Sequence, residues 1–165
     1  MKLTHATDGV LMALVVSFFL VLGADLFAQV AITPTVLEAP PRSLAMFQGD
    51  YVYDGGPFWR VTTTLAMVLF LVAVVLTWKT ERRRLVFGGF IAFMIINVVS
   101  WWYIFPEYLD IVGSTYSDVI DPILVDRGAS WRKVALSRWT LSMLVGITPL
   151  WALVRYPSPA AARSD

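Results

Sequence analysis

Four apolar stretches, each about 20 residues long, dominate the 165-residue chain and constrain what it can fold into. They cover about residues 9–30, 57–78, 85–105 and 131–155. A helix needs about 20 apolar residues to cross the hydrocarbon core of a bilayer. In lipid, backbone N–H and C=O groups must be satisfied within their own segment, so each stretch is expected to be a helix. The sequence therefore predicts an all-α fold, a four-transmembrane-helix bundle that forms one integral membrane domain over residues 1–165.

The composition supports the membrane interpretation and excludes several classes of function. Hydrophobic residues make up 58% of the chain and charged residues 15%, whereas about a quarter of the residues of a soluble domain are charged. The net charge of +1 argues against nucleic acid as a partner. The chain has no Cys and one His, which excludes disulfides, thiolate nucleophiles and His-rich metal sites. We therefore predict no cofactor and no metal.

Basic residues predict the orientation of the bundle. The turn over residues 79–84 holds four cations, and Lys2, Arg155 and Arg163 flank the termini on the same side. The two long loops, 31–56 and 106–130, carry one cation each, Arg42 and Arg127. Because cytoplasmic flanks are enriched in Lys and Arg, both termini and the basic turn are expected in the cytoplasm. The long loops are then periplasmic, and the location is a bacterial inner membrane.

The two long outer loops are expected to contain structure of their own. Each has about 25 residues, and loops much above about 15 residues are usually functional, disordered or partly structured. In the first loop, Ser43 to Phe47 is predicted to form a short helix that packs onto the mouth of the bundle. In the second loop, Ser114 to Val125 is predicted to form an amphipathic helix that Pro122 breaks.

Charged and polar side chains at membrane depth are the candidate functional residues. Such groups are costly in a span and indicate a site that faces the bundle interior. Asp25, Arg60 and Arg138 lie in the first, second and fourth predicted helices, and at about 1.5 Å per residue all three fall in the outer half of the membrane. They are the catalytic candidates. The substrate-binding candidates come from the same depth: Gln29, Asn97, Trp101, Tyr103 and Ser142.

Three interpretations of these residues remain open. They could line a wet, aromatic-walled pocket for a ligand or substrate. Asp25 could instead form a structural ion pair with Arg60 or Arg138 that sets helix register, while Arg60 could extend to the lipid headgroups. The aromatic side chains could form the belt expected at a membrane interface.

Three stretches carry a resemblance to a known family. They are Ala24–Pro34 at the end of the first helix, Gly56–Arg60 at the start of the second, and Arg138-Trp139 in the fourth. Together with the four-helix layout, they resemble the anthrone-oxygenase-like family of small membrane proteins. That family often continues the Arg-Trp pair with Asn, where this chain has Thr140.

The resemblance implies an oxygenase that inserts oxygen into activated polycyclic phenols without metal or flavin. Asp25 would be the base that forms the phenolate or carbanion, and Arg138 and Arg60 would hold the anion. Trp101 and Tyr103 would stack on the ring.

The functional prediction is an integral membrane enzyme or binding protein for a hydrophobic aromatic or isoprenoid small molecule, with its pocket at the outer end of the bundle. The alternative is a non-catalytic accessory or structural subunit of a larger membrane complex. The predicted partners are the lipid bilayer and the small molecule. Homo-oligomers and complexes with other membrane proteins remain open.

Overall fold

The computed structural model describes residues 2–156, and side chains from residue 5 onward. This part of the chain is helical and contains no strand, which confirms the all-α prediction there. The helices are α1 (Lys2–Phe27), α2 (Thr33–Val36), α3 (Gly56–Thr77), α4 (Arg83–Val99), α5 (Phe105–Val112) and α6 (Pro122–Arg155). Arg163, which entered the orientation argument, lies outside the described residues.

Three helical segments of the described chain are long and apolar enough to cross a membrane: His5–Val36, Gly56–Thr77 and Arg83–Val112. The fourth long helix, α6, has 34 residues and is more polar. Apart from Arg155 in its last turn, its charged residues lie in its N-terminal half: Asp126, Arg127, Arg132, Lys133 and Arg138.

The four long helices pack in a ring in which α1 contacts α3 and α6, and α4 contacts the same two neighbours. Aromatic side chains fill the centre, where the rings of Phe18, Phe70 and Phe93 lie 5.5–6.0 Å apart between centroids. Gly89 lets α4 approach α6 closely, because a Cβ there would collide with the side chain of Thr148. The core thus depends on large rings in the middle and a small residue at the closest helix contact.

A second apolar cluster closes the end of the bundle that carries the two loops, here called the loop end. It joins a 3-10 helix, Arg42–Phe47, to α5 and α6 through buried side chains such as Leu44 and Ile111. Trp131 of α6 is buried there, and its indole Nε1 donates a hydrogen bond to the carbonyl of Ile104 at 2.7 Å. The loop end is therefore packed rather than open.

Two helices run further than the sequence predicts, and each passes through a proline. π-Helical segments, Ala28–Ile32 and Ser100–Ile104, join α1 to α2 and α4 to α5. The residue before each proline, Thr33 before Pro34 and Phe105 before Pro106, donates its N–H to the carbonyl five residues back. Proline normally clashes with the carbonyl four residues back. A wider π turn relieves that clash, so the helices end at Val36 and Val112 instead of near residues 30 and 105.

The predicted helix over Ser114 to Val125 is wrong for residues 114–121, and only its last four residues are helical. Residues 114–121 form no helix, and α6 begins at Pro122 instead of near residue 131. The Asp121 carboxylate accepts a hydrogen bond from the Ile123 N–H at 2.8 Å and caps the helix. Proline is favoured in a first helical turn, where no N–H is needed, so Pro122 starts a helix here and breaks none.

Candidate functional site

The centre of the candidate site is an ion pair between α1 and α6. The carboxylate of Asp25 accepts a hydrogen bond directly from Nη2 of Arg138. Asp25 is only 6% exposed, and the side chain of Arg138 is 22% exposed. Beside the pair, the indole Nε1 of Trp139 donates to the carbonyl of Leu22 at 2.9 Å. Two polar contacts thus join the same pair of helices within about one turn.

Gln29 lies next to this ion pair and is the most deeply buried polar side chain of the site. It is 3% exposed and lies about one helical turn after Asp25. Gln29 belongs to the π-helical segment that follows α1, and π turns are frequent at functional sites. We call Asp25, Gln29 and Arg138 the polar centre.

The polar centre contains hydrogen-bonding atoms without partners in the described part of the chain. They are Oε1 of Gln29, an acceptor, and Nε of Arg138, a donor, and both are buried. Nε of Arg132, nearer the start of α6, is a third such atom. Buried polar groups in proteins nearly always have partners, and leaving one without a partner costs about 1–3 kcal/mol. A molecule with a hydroxyl group can satisfy both kinds of atom, since it donates and accepts.

Ser142 lies one turn from Arg138 on α6 and is also buried. Its hydroxyl donates to the carbonyl of Arg138 at 2.9 Å, so its donor is already used by the helix backbone. Ser142 therefore shares the location of the polar centre but offers a ligand only its oxygen lone pairs.

Two other predicted residues lie in a separate cleft between α3 and α4. This cleft has a volume of about 290 Å³ and contains Asn97 and Trp101 among its lining residues. The Asn97 amide donates to the carbonyl of Phe93 at 2.9 Å, while Trp101 is 65% exposed. No residue of α1 or α6 lines the cleft, so it is distinct from the polar centre.

The last two predicted residues face outward and join neither group. Arg60 is exposed near the start of α3, and its Nε contacts the carbonyl of Gly56 at 3.4 Å. It takes part in none of the ion pairs of the described chain. Tyr103 is also exposed. Of the eight candidate residues, the structure brings together Asp25, Gln29, Arg138 and Ser142.

Sequence reasoning missed a second buried ion pair at the opposite end of the bundle. Arg82, from the basic turn, is buried and pairs directly with Asp8 of α1. Its Nε also donates to the carbonyl of Tyr156, at the end of α6, at 2.9 Å. The turn over residues 79–84 holds four cations, and nothing in their order distinguishes the buried one, Arg82, from the other three.

No family model, curated protein or solved structure matches the chain. The resemblance to the anthrone-oxygenase-like family therefore stays a prediction. Within residues 2–156, no cluster of three or more His, Asp or Glu side chains could hold a metal ion.

Proposed function

We propose that α6 is a fourth membrane-spanning helix and that the protein is a four-helix bundle of a bacterial inner membrane. Its C-terminal half, from Trp139 to Arg155, is almost wholly uncharged, and α6 packs against both α1 and α4. Arg138, the most deeply placed of its charges, already has a carboxylate partner. The positive-inside rule then puts the basic turn in the cytoplasm and the loop end in the periplasm.

We propose further that the polar centre binds a hydrophobic small molecule, aromatic or isoprenoid, that carries a hydroxyl or phenol group. The observation that carries this proposal is the buried acceptor Oε1 of Gln29, which has no partner in the described chain although it lies beside a buried ion pair.

The same three residues support a reaction on such a ligand. A phenol whose oxygen reaches the polar centre would give its proton to the Asp25 carboxylate, and the phenolate would remain beside the Arg138 guanidinium. Such an electron-rich anion is what a cofactor-independent oxygenase needs. Because Arg60 lies elsewhere, the proposal assigns anion binding to Arg138 alone.

The test is a native mass spectrum of the full chain, extracted in a mild detergent without delipidation. We expect a bound species of a few hundred daltons in stoichiometric amount, whose identification would give the substrate class. Absence of any such species from the intact protein, with lipids retained, would contradict the binding proposal.

One observation favours a second candidate function, that of a non-catalytic subunit of a membrane complex. The Asp25–Arg138 ion pair is direct, and the Trp139–Leu22 hydrogen bond lies beside it, so both contacts can serve simply to hold α1 against α6. In this case the mass spectrum should show other chains bound to the protein and no small molecule.

A further inference from the structure

The basic turn between α3 and α4 divides into two parts with different surroundings. Arg82 is buried in contacts with Asp8 and Tyr156. The other three cations, Lys79, Arg83 and Arg84, are exposed, and none takes part in an ion pair of the described chain. The positive-inside rule explains why cations are at this end of the bundle, but it requires no particular arrangement of them.

The three exposed cations surround a cavity of about 420 Å³. It is lined by Lys79, Thr80, Glu81, Arg83, Arg84 and Tyr156. Three positive charges and one negative charge give the lining a net positive charge. Like charges around one cavity repel one another, and an anion bound between them offsets that repulsion.

The start of α4 adds a further attraction for an anion. Arg83 and Arg84 occupy its first turn, and the residue before them, Arg82, gives the helix no side-chain cap. The N–H of Arg83 donates to the carbonyl of Thr80 at 3.2 Å, so the attraction here comes from the helix dipole, which favours negative charge at such a point. Arg82 contacts Asp8 of α1 and Tyr156 at the end of α6. These contacts fix the position of the turn that carries the three exposed cations.

We propose that this cavity is a binding site for a phosphate ester, either the headgroup of an anionic phospholipid or a soluble phosphate. The site is independent of the polar centre, which lies at the opposite end of the bundle. Each cation near an anionic membrane surface contributes about fivefold to binding. Glu81 opposes the anion and limits its affinity.

The experiment measures the binding of the first lipid to the full chain in neutral detergent by native mass spectrometry. Phosphatidylglycerol and phosphatidylcholine are titrated in parallel, and inorganic phosphate is added as a competitor. Arg84→Gln is compared with Arg155→Gln, which removes one exposed charge from the same end of the bundle but does not line the cavity.

We expect phosphatidylglycerol to bind more tightly than phosphatidylcholine. Arg84→Gln should weaken its binding about fivefold, Arg155→Gln should change it little, and Glu81→Gln should strengthen it. If millimolar phosphate displaces phosphatidylglycerol, the ligand is a soluble phosphate. If millimolar phosphate does not displace it, the ligand is the lipid. Equal losses in Arg84→Gln and Arg155→Gln, or equal binding of the two lipids, would overturn the proposal.

Discussion

The buried ion pair of the polar centre gives the sharpest prediction about stability. Replacing Asp25 by Asn leaves the guanidinium of Arg138 without its counter-charge. Breaking a buried pair by removing one partner costs about 3–5 kcal/mol. Because the side chain of Arg138 is 22% exposed and regains some hydration, we expect the low end of this range, about 3 kcal/mol. Water cannot replace the lost counter-charge completely, because position 25, which faces the guanidinium, is only 6% exposed.

A double-mutant cycle separates this loss from a general disturbance of the bundle. Asp25→Asn/Arg138→Met removes both charges, and we expect it to recover at least about 2 kcal/mol relative to Asp25→Asn, with Arg138→Met completing the cycle. The free energy of unfolding is measured by SDS titration in mixed micelles, followed by circular dichroism. If Asp25→Asn stays within about 0.5 kcal/mol of the wild type, the pair is not the buried contact described here.

Three further substitutions test the packing, each by the same unfolding titration. Gly89→Ala should lower the free energy of unfolding by about 1–3 kcal/mol, because the added Cβ has no room at the α4–α6 contact. Gly88→Ala is the control and should not lower it, because no atom lies within 4 Å of the added Cβ. Equal effects would contradict the close helix approach. Trp131→Phe should cost about 1–2 kcal/mol because it removes a buried hydrogen bond, while Trp151→Phe, at an exposed position, serves as the neutral control. Arg127→Gln should lower the free energy of unfolding by at most about 1 kcal/mol, and by less at high salt, because the carboxylate partners of Arg127 are partly exposed. A larger loss that does not depend on salt would show that these charges form a buried cluster.

The helical segments that suit a membrane could be predicted from the sequence because their signal is local. A run of about 20 apolar residues identifies a span without knowledge of its neighbours. The ends of those segments could not be predicted, because Pro34 and Pro106 normally stop a helix. Here a π turn before each proline lets the helix continue, and such a turn has no reliable sequence signature.

The site was predicted less completely than the fold, for a geometric reason. Position along a span gives the depth of a side chain, and Asp25, Arg60 and Arg138 do share the same half of the sequence-predicted membrane. Depth does not tell which way a helix is rotated, and the rotation of α3 leaves Arg60 exposed. The Asp8–Arg82 pair was missed for a related reason, since its members are 74 positions apart.

The central claim is that a ligand binds at the polar centre, and the most direct test is to count the small molecules that purified variants retain. Gln29→Leu removes the acceptor without a partner and leaves the Asp25–Arg138 pair in place. Asn97→Leu makes the matched change in the α3–α4 cleft. We predict about one equivalent of ligand on the wild type and on Asn97→Leu, and a large loss on Gln29→Leu. Retention by Gln29→Leu equal to that of the wild type, or loss in Asn97→Leu alone, would contradict the claim.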